Sequence, residues 1–140
     1  MSHTLVRDRA RLANRDPDRS GLVRLAFGNV SRADHACGVM AIKASGVACI
    51  DVRREDVVLV DLATGHAVEP ELRPSSDTLT HLALYRANPG IGGIVPTHST
   101  STSSWAQAER AMRRFGATHA DHFHGPLPVT RRVRPSCWYS

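Results

Sequence analysis

Between residues 56 and 97 the spacing of apolar positions changes twice, and each change marks an element. "DVVLVDLATGHAV" (56–68) is a β-branched apolar run, an "ATGH" turn and a short return, which predicts a hairpin. "PSSDTLTHLALYRANPG" (74–90) shifts to helical spacing. Ser75 or Ser76 can cap it, Asp77 falls in a first turn that favours a carboxylate, and Leu79, Leu82 and Ala83 form its apolar stripe. Asn88-Pro89-Gly90 stops the helix, and "IGGIVPT" (91–97) returns as a strand. Upstream, residues 3–14 fit a helix with Leu5, Ala10, Leu12 and Ala13 as its apolar face, ended by "NRDPDRSG". "LVRLAFGNVS" (22–31) predicts a strand entering a tight loop at Gly28-Asn29, and "GVMAIKASG" (38–46) a strand entering a Ser-Gly turn. Downstream, "SSWAQAERAMRRF" (103–115) reads as a helix and "ATHADHFHG" (117–125) as a strand or loop. Strands and helices alternate without a strict βαβ rhythm, so an α/β fold with a mixed sheet and helices on its faces is expected.

Composition narrows the picture only a little. A chain of 140 residues, 41% hydrophobic and 22% charged, fits one ordinary domain that can bury a core. The N-terminal segment lacks an apolar signal-peptide core and no apolar run reaches membrane-spanning length, so a cytoplasmic protein with no membrane partner is expected. Three cysteines without a CxxC pair suit a reducing compartment better than a disulfide framework. The net charge is +5, and all but one of the 18 basic residues are arginine, the exception being Lys43. Aromatics make up only 5%, too few for base stacking, so nucleic acid is not the expected partner.

Three small turns carry candidate chemistry: Gly28-Asn29, Ser45-Gly46 and Ser75-Ser76. Each offers backbone N–H groups or short hydroxyls that can gather round a phosphate, although such turns shape most loops for no other reason. Asp77 and His98 are the candidate metal ligands, one opening a helix and the other ending a strand. On a strand, positions 96 and 98 share a face about 6.5 Å apart, the spacing of a His-x-His chelate. Position 96 is proline, which has no donor atom for a metal and no N–H for a ladder bond. In "THADHFH" (118–124), Asp121 among histidines can serve as a general acid or base, and His122 and His124 can share a strand face; exposed polar residues in a loop are the plainer alternative.

Set in order, "FGNVS" (27–31), "IKASG" (42–46), "PSSDTLTH" (74–81), "GGIVPTHS" (92–99), "WAQA" (105–108) and "THADHFHG" (118–125) resemble the motifs of the L-ribulose-5-phosphate 4-epimerases, within the class II aldolase/adducin family. The resemblance runs from about residue 20 to residue 131, which assigns 1–131 to a class II aldolase/adducin-like domain and leaves 132–140 as an unmatched tail. It implies a mixed, mostly antiparallel central sheet flanked by helices, incomplete at the C-terminus. It also implies a zinc-dependent retro-aldol epimerisation of a phosphorylated pentose, with zinc as the Lewis acid, in a homotetramer. By motif, Gly28, Asn29, Lys43, Ser45, Gly46, Ser75 and Ser76 bind substrate, Asp77 and His98 belong to the zinc site, and Asp121 is the catalytic acid/base.

The departures are as specific as the matches. Pro96 stands where the family has a metal histidine, and the family's further zinc histidine and catalytic tyrosine belong to a C-terminal portion for which this sequence has no match. Two ligands hold zinc weakly, since zinc sites normally use at least three protein ligands. Impaired epimerisation is therefore the expectation. Three alternatives stay open: a non-catalytic adducin-like interaction module, a chain that recruits His122 or His124 to its metal, and a frameshifted product.

Overall fold

The computed structural model describes residues 3–19, 28–69 and 71–130. These fall into two compact units that divide after Thr97.

The first unit is built on a four-stranded antiparallel sheet. Its strands are β1 (Ser31–Asp34), β2 (Val39–Lys43), β3 (Val57–Asp61) and β4 (Gly93–Ile94), in the order β3-β2-β1-β4. Ser31 pairs with Ile42 and Asp34 with Val39, and on the other side of β1 Ser31 pairs with Ile94. Every residue of β2 is buried, because both faces of the sheet are covered. Alternation sorts the side chains. Met40, Ile42, Val58 and Val60 pack against Leu82 and Tyr85 of α2 (Thr78–Ala87), whereas Ala41, Val57 and Leu59 pack against Val6 and Ala10 of α1 (His3–Arg19). A mixed α/β architecture with an antiparallel sheet and flanking helices is thus as expected. The β3 hairpin also holds: Asp61 accepts the amides of Ala63 and Thr64, Gly65 turns at φ +80°, and Val60 bridges Ala67 on the return.

Other boundaries move for identifiable reasons. The first helix runs to Arg19, five residues beyond its expected end. Its buried stripe is Val6, Ala10 and Asn14, while Leu5 and Leu12 are exposed. Asn14 was invisible to an apolar pattern. Its carboxamide donates to the carbonyls of Ala10 and Val30 and accepts the Val30 amide, which makes a polar side chain suitable for the core. The described strand lies after Gly28-Asn29; the expected strand over 22–27 falls outside the described residues, as does the tail 132–140. In α2 the buried face is Thr78, His81, Leu82 and Tyr85, and Leu79 is 56% exposed. β4 ends at Ile94, two residues before Pro96, so no strand carries positions 96 and 98 on one face.

The second unit contains α3 (Thr100–Gln107) and α4 (Ala117–His122). Ser99 caps α3, its hydroxyl oxygen accepting the Thr102 amide, so the helix begins three residues before its expected start. It stops by Ala108, and Glu109 takes a left-handed φ of +54° where the pattern had continued to Phe115. Met112 then bridges Leu127. "ATHADH" is helical, not a strand: Gly116 enters at φ +90°, and the His119 ring nitrogen Nδ1 accepts the Phe115 amide across that turn. His122 and His124 therefore share no strand face. No helix of the described residues is long and apolar enough to cross a membrane.

Candidate functional site

The three candidate turns meet in the first unit. The register of β1 on β2 leads back from the Ser31–Ile42 pair towards Asn29 and Ala44, and Ala44 in turn bridges Pro74. Ser45 donates its amide to Arg73, and Ser75 donates its amide to Lys43, so the loop after β2 is laced to the approach of α2. Asn29 closes the set, its Nδ2 donating to Asp77 Oδ2 at 2.5 Å across 48 positions of chain. Backbone shape explains two of the residue types. Gly28 sits at φ +120° and Gly46 at φ +82°, conformations that side chains with a Cβ rarely adopt.

Burial divides the residues by task. Asn29, Lys43 and Ser75 are buried, Asp77 is half-buried, and Ser45, Gly46 and Ser76 are exposed. The Lys43 ammonium donates to the Val47 carbonyl at 2.8 Å, which anchors its own loop. Asp77 is the N-cap residue of α2 rather than part of its first turn, and its side chain caps nothing, being turned to Asn29. Asn29 is the unusual member. An amide facing a carboxylate must present its N–H₂, which leaves Oδ1 as an acceptor; that oxygen is buried and has no hydrogen-bond partner among the described residues. Buried acceptors are normally paired, which makes Oδ1 the atom of this set open to a further donor.

Behind this pair lies a polar network that apolar spacing could not reveal. Ser31 Oγ is 2.6 Å from His81 Nδ1 and 2.8 Å from the Tyr85 hydroxyl, and all three residues are buried. Burial lowers the His81 pKa, opposed in part by Asp77, and the ring is favoured in its neutral form. Burial likewise raises that of Tyr85, against the lowering effect of the Ser31 hydrogen bond. The sequence signal was the four-residue step Asp77, His81, Tyr85, one stripe of α2.

His98 and Asp121 belong to the second unit, where both are exposed, His98 just ahead of α3 and Asp121 on α4. Among the described residues no group of three or more His, Cys, Asp or Glu side chains is placed to hold one metal ion. Zinc normally takes at least three protein ligands, so the described donor set does not fit it.

Residues 10–136 match the family model described as the Class II Aldolase and Adducin N-terminal domain. The chain belongs to this family. Solved structures agree. An L-fuculose 1-phosphate aldolase is 26% identical with a TM-score of 0.71, the match covering 81% of this chain and 53% of that one. L-fuculose-1-phosphate aldolase from Thermus thermophilus is 22% identical with a TM-score of 0.67, over 93% and 64% of the two chains. YgbL from Escherichia coli is 22% identical with a TM-score of 0.66, over 80% and 54%. The chain spans about half the length of the first of these, so the fold carries over more directly than any complete active site.

Proposed function

We propose that this class II aldolase/adducin domain binds a phosphorylated sugar at the meeting of its three turns, with the ketopentose phosphate of the 4-epimerases as the ligand its motifs favour. The observation that carries the reading is the buried, unpartnered Oδ1 of Asn29 beside Asp77. A ligand hydroxyl, or a singly protonated phosphate, supplies the donor that this oxygen lacks. The exposed Ser45, Gly46 and Ser76 offer amides and hydroxyls to the remaining phosphate oxygens, and the start of α2 favours a negative charge. Asp77, fixed by Asn29, is placed to take or return a proton at a ligand hydroxyl; Asp121 keeps its acid/base role by motif alone. The similarity to an L-fuculose 1-phosphate aldolase supports a sugar phosphate as the ligand class.

Retro-aldol epimerisation needs both a base and a sink for the electron pair released when the carbon–carbon bond breaks. Asp77 meets the first need, and the described side chains assemble no three-ligand metal site for the second. Binding with weak turnover is therefore the form of the activity proposed for this chain, in keeping with Pro96 at a metal-ligand position. The same observation favours a second reading, a non-catalytic binding module of the adducin kind.

Calorimetric titration with L-ribulose 5-phosphate, paired with an epimerisation assay, tests both. The expected result is saturable binding that weakens about tenfold or more in Asn29→Ala, with slow turnover. Binding that ignores Asn29→Ala, or no binding, removes the sugar-phosphate reading; binding with no turnover at all selects the module.

A further inference from the structure

The contacts behind Asn29 and Asp77 are arranged as a ladder. Asn29 and Ser31 are two residues apart in extended chain, and Asp77 and His81 are four apart at the start of α2. Two extended residues advance about 6.7 Å and four helical residues about 6 Å, so the two segments stay in step over this distance. The rungs reflect this: Asn29 to Asp77 at 2.5 Å, and Ser31 to His81 at 2.6 Å. Tyr85 is a further turn along, but helical side chains lean towards the N-terminus, and its hydroxyl returns to the same Ser31 oxygen at 2.8 Å.

Either oxygen of the Ser31–Tyr85 pair can donate, and the roles of Ser31 and His81 follow the imidazole tautomer. In each assignment one hydroxyl on β1 joins that strand to two side chains of α2. Truncating any member leaves a buried polar group unpaired.

We propose that His81 is a positioning residue that acts through Ser31. It sets how closely the first turn of α2 lies against residues 29–31, and hence the geometry of the Asn29–Asp77 pair and the amides around it. The ligand part of this inference rests on the sugar-phosphate reading; the positioning part does not.

The test uses the full chain with two readouts: the Asn29 carboxamide resonances in ¹H–¹⁵N spectra, and affinity for inorganic phosphate by titration. His81→Phe retains ring packing and removes the ring nitrogen that meets Ser31. It is expected to shift the Asn29 carboxamide signals and to weaken phosphate binding about tenfold. His81→Asn places a carboxamide, able to accept or donate, near the Nδ1 position and is expected to restore both. Where His81→Phe does not fold, Ser31→Ala, the smallest truncation of the ladder, carries the same expectation. A purely structural network lowers the unfolding temperature in these variants yet leaves the Asn29 signals and the phosphate affinity unchanged, and that result overturns the proposal. Should the unaltered chain not bind phosphate, the ligand reading falls, and the response of the Asn29 carboxamide still decides the positioning role.

Discussion

Two buried polar residues hold the first unit together in ways an apolar scale cannot register, and each gives a measurable consequence. Asn14 makes three hydrogen bonds, two of which tie α1 to Val30 in the segment entering β1. Asn14→Ala leaves the Val30 amide and carbonyl without these partners and is expected to cost about 2–3 kcal/mol, read from denaturant unfolding. His81 gives a pH dependence. Its folded-state pKa lies below the ordinary value because burial disfavours the imidazolium. The unfolded chain therefore takes up the proton first as pH falls. The stability this neutral ring contributes is complete above the unfolded value and is lost as pH falls through the folded one. The groups around it act on the size of that loss: Asp77 stabilises the cation, Ser31 meets the ring nitrogen, the Tyr85 hydroxyl meets Ser31, and His35 packs edge-on against Tyr85. Unfolding midpoints of the native chain are expected to fall between pH 7 and pH 5 more steeply than those of His81→Asn; parallel curves would contradict this.

Elements were legible wherever hydrophobic spacing and burial agreed. "VMAIK" and "VVLVD" became β2 and β3 because each is apolar on both faces and each is covered on both. The hairpin turn and the Asn88-Pro89-Gly90 stop were readable from backbone chemistry alone. Misreadings arose where a polar residue took a core position. Leu79 and Ala83 suggested a stripe that α2 does not bury, because Thr78, His81 and Tyr85 occupy the inner face through hydrogen bonds. The stripe can be tested directly. Leu82→Ala should cost about 2–4 kcal/mol, whereas Leu79→Ala should stay within about 0.5 kcal/mol, by thermal or denaturant unfolding. In the second unit, turns fixed by Ser99 and Gly116 moved helix boundaries that composition had placed elsewhere. The candidate site was legible as three short turns, since glycine, asparagine and serine are needed there for backbone shape and exposed donors. The network supporting it was not, because its members are neither adjacent in sequence nor apolar.

At the scale of the molecule, this class II aldolase/adducin domain brings a strand entry and a helix start together, while position 96, just beyond β4, is proline. The first unit packs an apolar cluster on each face of its sheet, and among the described residues no group of three or more His, Cys, Asp or Glu is placed to hold a metal ion. Chelation with EDTA is accordingly expected to shift Tm by no more than about 1 °C, since only a ligand that binds the folded state raises it. The central claim concerns where a sugar phosphate binds, and amide chemical-shift mapping with L-ribulose 5-phosphate tests it most directly. The account predicts saturable shifts at the Asn29 carboxamide and at the Gly46 and Ser76 amides. Saturable shifts confined to the open cleft of about 700 Å³ lined by Arg11, Arg15, Arg53 and Arg54, with Asn29, Gly46 and Ser76 unmoved, would contradict it.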